Sequence, residues 1–296
     1  MTKIGLIGVG LMGHGIGKNI VSKGWDFHFL DHVGNQPTAD LIDLGATVHD
    51  SAQDLATVCD ILVLCVTGSP QVEEVLIGSG AVLETLRPGS IVVDCSTAIP
   101  SSTRVLAAKV RDRGSDFVDA AMTRTPKEAE EGRLNLLVGG ETASIARIRP
   151  LLESFAENIF EAGGVGCGHQ LKLVHNIISL GTVTLIAEVA ACAIKDGMDV
   201  AAMVDCLRKG GAGGAALERV APYILEGSLE SMRFTVNNAY KDAGYYAQMV
   251  KELGAAQLMA DAVHQTLGGL VERGDGEAFM PEQVKLLQSS PQRLQD

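Results

Sequence analysis

The sequence predicts an α/β fold in two parts, a doubly wound, mainly parallel sheet before about Gly164 and an all-helical region after it. Three observations predict it. Short apolar runs alternate with segments of helical period through the first half, as βαβ units do. The first of these runs is followed at once by Gly8-Val9-Gly10-Leu11-Met12-Gly13, and beyond Gly168 only segments of helical period remain.

Residues 3–8 form an apolar run without alternation, the pattern of a strand covered on both faces. The segment after the glycine motif carries Leu11, Ile16, Ile20 and Val21 at helical spacing and stops at Gly24. Residues 25–30 read as a second strand with Asp31 at its end. A short strand at 46–48, a helix from about Ser51, and strands at 61–66, 91–94, 117–119, 134–138 and 159–161 follow, with helices between them, notably 102–113 and 142–155. A glycine-rich turn, 163–168, then feeds the longest apolar run, 171–194. Helical segments continue at 201–207, 215–223, 238–253, 256–273 and 281–287, and the polar tail 288–296 is expected to fray.

Composition narrows the function. A chain of 296 residues with 46% hydrophobic residues can fill a sizeable core. Its formal net charge of −12 leaves no general basic face for nucleic acid or an anionic membrane, so an anionic ligand must be met locally. The six cysteines form no C-x-x-C pair, which fits reduced thiols and a cytoplasmic setting. The start of the chain has no charged n-region with an apolar h-region, so no signal peptide is expected. The 171–194 run contains Lys172, His175, Asn176 and Glu188, which are costly in lipid, so no membrane span is expected either. The seven histidines include no cluster spaced for zinc, and no metal is expected.

The glycine motif is G-x-G-x-x-G placed between a strand and a helix, and Asp31 follows Gly13 by 18 positions, the distance of the dinucleotide fingerprint. Gly8 permits the tight turn and Gly10 lets a pyrophosphate approach the backbone. Gly13 packs the helix on the strand, so the pyrophosphate rests on the 10–13 segment including Leu11 and Met12. Asp31 should accept hydrogen bonds from the adenosine ribose and repel a 2′-phosphate, which favours NAD(H). Residues 32–35 include no arginine for that phosphate, although His32 or a lysine from elsewhere leaves NADP(H) open.

On a helix Lys172, His175, Asn176 and Ser179 fall at i, i+3, i+4 and i+7, a polar stripe on an apolar surface. Lys172 is either a solvated lysine or a catalytic acid. A lysine with a free pKa of about 10.4 is a ready proton donor to a carbonyl being reduced.

The segments G-L-I-G-V-G-L-M-G, Asp94-Cys95-Ser96-Thr97-Ala98-Ile99-Pro100, the run around Lys172 and Asn176, and Lys241-Asp242 together resemble the β-hydroxyacid dehydrogenase family along essentially the whole chain. The resemblance implies a Rossmann domain (1–163), a long interdomain helix (164–195) and an all-α domain (196–296) that closes the cleft and mediates homodimers or homotetramers. It implies that Lys172 is the acid/base, that Asn176 orients substrate, and that Ser96 and Thr97 lie near the nicotinamide. Lys241 and Asp242 would then close over the cleft, with Lys241 and Val66 beside the cofactor. The expected reaction is NAD(P)-dependent interconversion of a small hydroxy acid and its oxo form.

One motif departs. Where many members carry D-A-P-V-S-G-G, this chain has Asp119-Ala120-Ala121-Met122-Thr123-Arg124-Thr125. That loop is similar to the G-R-T of sulfolactaldehyde reductases, whose arginine grips a sulfonate. Thr123, Arg124 and Thr125 are therefore expected at the substrate, whose anionic end is a carboxylate, sulfonate or phosphonate. The alternative is a surface arginine paired with Glu128 or Glu130. The glycines at 210–214 either approach substrate or form a flexible connection. An imine reductase on the same scaffold is disfavoured by Lys172, and a non-catalytic cofactor sensor by the Lys172, Asn176 and Lys241 set.

Overall fold

A computed structural model describes residues 1–79 and 81–289, so most of the polar tail lies outside the described residues. The chain divides into two compact units, Met1–Lys172 and Leu173–Asp296.

The first unit alternates as its apolar runs demand. In order it forms β1 (Lys3–Ile7), α1 (Leu11–Ser22), β2 (Asp26–Leu30), α2 (Ala39–Asp43), β3 (Thr47–His49), α3 (Ala52–Val58) and β4 (Ile61–Leu64). Then come α4 (Ser69–Ile77), α5 (Val82–Thr85), β5 (Ile91–Asp94), α6 (Pro100–Asp112), β6 (Asp116–Thr123), α7 (Pro126–Glu130), β7 (Leu134–Gly139), α8 (Thr142–Phe155) and β8 (Ala156–Gly163). The eight strands lie in the order β3-β2-β1-β4-β5-β6-β7-β8. Every neighbouring pair is parallel except β6 and β7.

Successive residues of a strand face opposite sides, and in the inner strands both sides are covered. Ile61 and Val63 join Ile16, Phe27, Phe29 and Phe155 on one face, while Leu62 and Leu64 join Leu55, Leu76 and Val110 on the other. This double burial is why the strands read as unbroken apolar runs. Chain order reverses between β1 and β4, and in such sheets the crevice at the strands' carboxyl ends is where ligands bind.

The strand expected to stop at Asp119 runs four residues further. Its extension Ala120-Ala121-Met122-Thr123 pairs antiparallel with β7, from Ala120↔Val138 to Thr123↔Asn135. Backbone pairing with a later strand overrides the loop-like sequence there.

The 29-residue helix α9 (Cys167–Lys195) crosses from one unit into the other. In the second unit it is followed by α10 (Val200–Lys209), α11 (Ala215–Glu226), α12 (Val236–Leu253) and α13 (Leu258–Glu272). Asp199 and Thr235 cap the starts of α10 and α12 through their side chains, and left-handed Gly227 and Gly254 end α11 and α12. Leu180, Val183, Ala187 and Ala190 of α9 are buried against Val204, Val220, Ala239 and Leu267. By length and composition α9 could span a membrane, and its outward row Ile178, Leu185 and Val189 is exposed.

Helix α1 approaches α7 through glycine. A Cβ on Gly15 would lie 2.5 Å from the carbonyl carbon of Ala129 and 2.9 Å from its oxygen. Gly15→Ala must push the two helices apart, and such overpacking costs about 1–3 kcal/mol. Urea denaturation should show that loss, and unchanged stability would mean the helix spacing is freely adjustable.

Candidate active site

The glycine turn after β1 is shaped by what its glycines leave out. Gly8 has φ 100°, and a Cβ there would lie 2.3 Å from the Cys65 carbonyl oxygen. A Cβ on Gly13 would sit 1.9 Å from the Gly8 oxygen, whereas one on Gly10 would meet nothing within 4 Å. The turn is thus closed around Gly8 and Gly13 and open at Gly10, where α1 begins with no side-chain cap on its first amides. Leu11 is 64% exposed beside it, and Met12 packs on the core.

Asn35, which sequence reasoning passed over, stitches the loop after β2 to this turn. Its Oδ1 accepts the Val9 N–H at 3.3 Å, its Nδ2 donates to the Leu30 oxygen at 2.9 Å, and the Gln36 N–H donates to the Val9 oxygen at 2.7 Å. Asp31 just before it is exposed, with its backbone N–H held by the His49 oxygen at 2.8 Å. An asparagine after glycine is a turn signal, but its partners across the loop are not local.

His14 follows Gly13 and bridges two carboxylates, with Nδ1 2.7 Å from Glu130 and Nε2 3.0 Å from Asp40. Lys18 reaches the same Glu130 at 3.0 Å. Burial pulls the imidazole pKa down, but hydrogen bonds to Glu130 and Asp40 outweigh it and the net shift is upward. A cavity of about 620 Å³ opens here, lined by Leu11, His14, Gln36, Asp40, Lys127 and Glu130 among others.

At the ends of β4 and β5, Ser96 is 2% exposed. Its hydroxyl accepts the Val66 N–H at 3.0 Å, and its own N–H donates to Asp94 Oδ1 at 2.9 Å. Ser96 therefore ties the two strand ends together, and Thr97 beside it stays partly exposed. Burial pushes the neighbouring Cys65 thiol up to about 12, so it stays protonated and offers no thiolate.

In the β6–α7 turn Thr123 is buried and accepts from Asn135 Nδ2 at 3.1 Å. Arg124 has φ 83°, the one non-glycine residue with positive φ among the described residues. Its guanidinium donates to the Arg133 carbonyl oxygen and pairs with Glu157. Thr125 caps α7, its N–H donating to Glu128 at 3.0 Å. Neither carboxylate weighed as a surface partner for Arg124 holds it: Glu128 serves Thr125, and Glu130 serves His14 and Lys18.

The start of α9 is pinned inside the first unit. Asp119, wholly buried on β6, accepts the Gly166 N–H at 2.7 Å and the His169 N–H at 2.8 Å. A Cβ on Gly168 would lie 2.4 Å from the Leu137 oxygen, so the helix rests directly on backbone. Lys172, the last residue of this unit, is partly buried.

One turn further on α9, and within the second unit, Asn176 is 6% exposed and donates from Nδ2 to Asp242 Oδ2 at 2.7 Å. Lys241 Nζ lies 3.2 Å from Asp242 Oδ1 and 5.6 Å from the Tyr245 ring centroid. Asn176, Asp242 and Lys241 are thus brought together. His175 is exposed, and Ser179 accepts from Arg219 at 3.3 Å, so the polar stripe serves several purposes. The 210–214 glycines form the α10–α11 connection, flanked by the Arg208–Glu218 pair at 2.8 Å.

A family model described as the NAD binding domain of 6-phosphogluconate dehydrogenase matches residues 3–164. Another, described as NAD-binding of NADP-dependent 3-hydroxyisobutyrate dehydrogenase, matches residues 166–287. An NAD-dependent L-serine dehydrogenase of Pseudomonas aeruginosa is 31% identical over 270 residues, 88% of this chain and 86% of that one. A 2-hydroxy-3-oxopropionate reductase of Escherichia coli K12 is 34% identical over 217 residues, 73% of each chain. The fold is shared with a 3-hydroxyisobutyrate dehydrogenase of Mycobacterium tuberculosis solved with L-serine, at TM-score 0.86 and 22% identity over 98% of this chain and all of that one.

The bridge made by His14 has a pH signature. Its folded pKa lies above the ordinary 6.5, so the stability it confers is full below about pH 6.5 and is lost as pH rises through the folded value. His14→Gln should lower Tm in acid and converge on the parent in alkali. A Tm difference that grows with pH would contradict the bridge.

Proposed function

Because the chain belongs to the β-hydroxyacid dehydrogenase family, we propose that it interconverts a small hydroxy acid and its oxo form, with Lys172 as the group that moves the hydroxyl proton. It is an NAD(P)-dependent oxidoreductase acting on CH–OH groups. The observation that carries the assignment of Lys172 is its place six residues into α9, on a helix start locked by Asp119 within the unit that holds the dinucleotide turn.

When bound, the nicotinamide supplies or accepts the hydride. The chain's part is orientation and proton supply. Gly10 and the uncapped amides of α1 receive the pyrophosphate. Asp31 takes the ribose hydroxyls and favours NAD(H) over NADP(H), with Val66 and Thr97 on the nicotinamide side. In reduction Lys172 donates a proton to the oxygen of the reacting carbonyl; in oxidation it removes one. Asn176, held by Asp242, presents a fixed amide to the substrate, and Lys241 stands beside that carboxylate as the group that approaches the cofactor.

The substrate's anionic end goes to the β6–α7 turn of Thr123, Arg124 and Thr125, where the Arg124 guanidinium supplies the positive charge. The present partner of Arg124, Glu157, is itself a carboxylate with a side chain 44% exposed. Exchanging it for a carboxylate, sulfonate or phosphonate of the substrate replaces like with like. The names of the relatives support small acids such as serine, 3-hydroxyisobutyrate or 2-hydroxy-3-oxopropionate as the class. Six free thiols support a reducing, cytoplasmic setting, and the exposed apolar row of α9 supports a homo-oligomer.

Three measurements test this reading. Lys172→Ala should lower kcat by about 10²–10⁴ with NADH affinity nearly unchanged, the range for loss of a general acid; retention of full kcat would remove Lys172 from the chemistry. A panel of small oxo acids, including sulfonates and phosphonates, assayed with NADH and NADPH should show NADH preferred and an anionic substrate favoured. Arg124→Ala should raise KM for the best substrate about tenfold or more, the scale of a lost charge-assisted hydrogen bond, and an unchanged KM would take Arg124 out of the site.

A further inference from the structure

The assignment of Lys172 leaves a wholly buried histidine three residues before it without a task. His169 has no exposed surface, and its Nδ1 lies 2.7 Å from Thr103 Oγ1 on α6. The Thr103 hydroxyl, which has a single hydrogen, also lies 3.1 Å from the Ile99 carbonyl oxygen, an acceptor for it. With its hydrogen given to Ile99, the hydroxyl oxygen is an acceptor for His169, the arrangement that carries a hydrogen on Nδ1. Nε2, on the other side of the ring, faces Asp94 Oδ2 at 3.8 Å. Neither of these two atoms has a hydrogen-bond partner among the described residues, and Asp94 is wholly buried at the end of β5.

We propose that Asp94 and His169 share one proton, and that this pair is the latch setting the first turns of α9 against the end of β5. His169 is then a positioning residue for Lys172, an inference that rests on the reading of Lys172 as the proton donor. With one proton between them the pair is neutral overall, either as carboxyl and imidazole or as carboxylate and imidazolium. Both forms place a hydrogen between Oδ2 and Nε2. Without it, a carboxylate would face a nitrogen lone pair in a site closed to water, which is costly.

The charges around the pair fit this. Burial holds the Asp94 carboxyl above the usual carboxylate range, with His169 and the Ser96 N–H pulling it back only in part, so Asp94 retains a proton readily. Asp119 on β6 is the other carboxylate at the turn, and it is already engaged by the Gly166 and His169 backbone N–H groups. Arg104 on α6 lies against Gly166. The gap of 3.8 Å is about 1 Å longer than a hydrogen bond, so closing it draws α9 toward the strand end that carries Ser96 and Thr97. A shift of that size at a reacting group is worth up to about 10²-fold in rate.

Three substitutions separate the two contacts of the ring. His169→Gln places an amide near the Nε2 position and keeps contact with Asp94, His169→Asn keeps only the contact with Thr103, and His169→Leu keeps neither. With NADH and 2-hydroxy-3-oxopropionate, or the fastest oxo acid of the panel above, kcat should fall in the order parent, Gln, Asn, Leu. The Leu variant should be down about tenfold or more, while KM and the NADH dissociation constant stay within about threefold. Equal kcat across the series would overturn the proposal even if Tm falls, because a merely structural histidine lowers Tm without this ranking. Should the Leu variant not fold, ¹⁵N spectra of the histidine rings in the parent decide the matter. A hydrogen on Nδ1 is expected, and a neutral ring protonated only at Nε2 would overturn it. Lys172→Ala in parallel distinguishes the two readings. If it loses turnover while the His169 series matches the parent, the latch alone fails; if it keeps turnover, the donor assignment fails and the latch with it.

Discussion

The buried carboxylate of Asp119 is the contact on which the rest of the site depends. It accepts two backbone N–H groups from the start of α9, satisfying amides that have no partner within the helix. A negative charge at that end also opposes the positive pole of a 29-residue helix. The contact is possible only because the chain is stripped of side chains where strand ends and helix meet. A Cβ on Gly139 would lie 2.6 Å from the Gly168 amide nitrogen and 2.9 Å from Asp119 Oδ1, and Gly168 has no more room. Lys172 inherits its position from this docking, since everything between Gly166 and Lys172 is a rigid turn and a half of helix.

Electrostatic economy runs through the unit. A chain with net charge −12 is a poor general host for a dinucleotide and an acidic substrate. The local features proposed to meet them are the open backbone at Gly10 with the bare amides of α1, and a single arginine held in left-handed backbone at Arg124. That backbone conformation is costly for a residue with a Cβ, and it persists because Arg133 and Glu157 fix the side chain on one flank while Thr125 and Glu128 fix the start of α7 on the other. Strain at the turn where a substrate is proposed to bind is therefore maintained by named partners.

The sheet and the cofactor turn were legible in the sequence because their signals are local. Strands covered on both faces must be apolar at consecutive positions, and Gly8, Gly10 and Gly13 are needed at fixed spacing for backbone reasons alone. What stayed hidden depends on partners far along the chain. The extension of β6 to Thr123 is dictated by β7, the anchoring of Arg124 by Glu157 some thirty residues later, and the stitch from Asn35 to Val9 by a loop twenty-six positions away. Glu128 and Glu130 were the nearby candidates for Arg124, but each has a better-placed donor: one completes the start of α7 and the other joins His14 and Lys18. Spacing finds residues that act through the backbone, and it misses side chains whose partner is chosen by topology.

The apolar run that opens α9 has a double reason. A helix that only delivered Lys172 and Asn176 could be amphipathic, with an ordinary polar back. This one must also serve as a core element of the second unit, burying Leu180, Val183, Ala187 and Ala190 among the helices α10 to α13, while Ile178, Leu185 and Val189 remain apolar on its outer side. A helix apolar on both inner and outer faces loses the periodic signal that marks a surface helix and comes to resemble a membrane span in composition. Its polar residues then stand out by exception. Asn176 is the informative one, because a buried amide in such a helix requires a partner, and it has one in Asp242, itself paired with Lys241. Burial of Asn176 and Asp242 fixes the amide's orientation more firmly than exposure would allow, and a fixed amide is what a residue proposed to orient substrate needs.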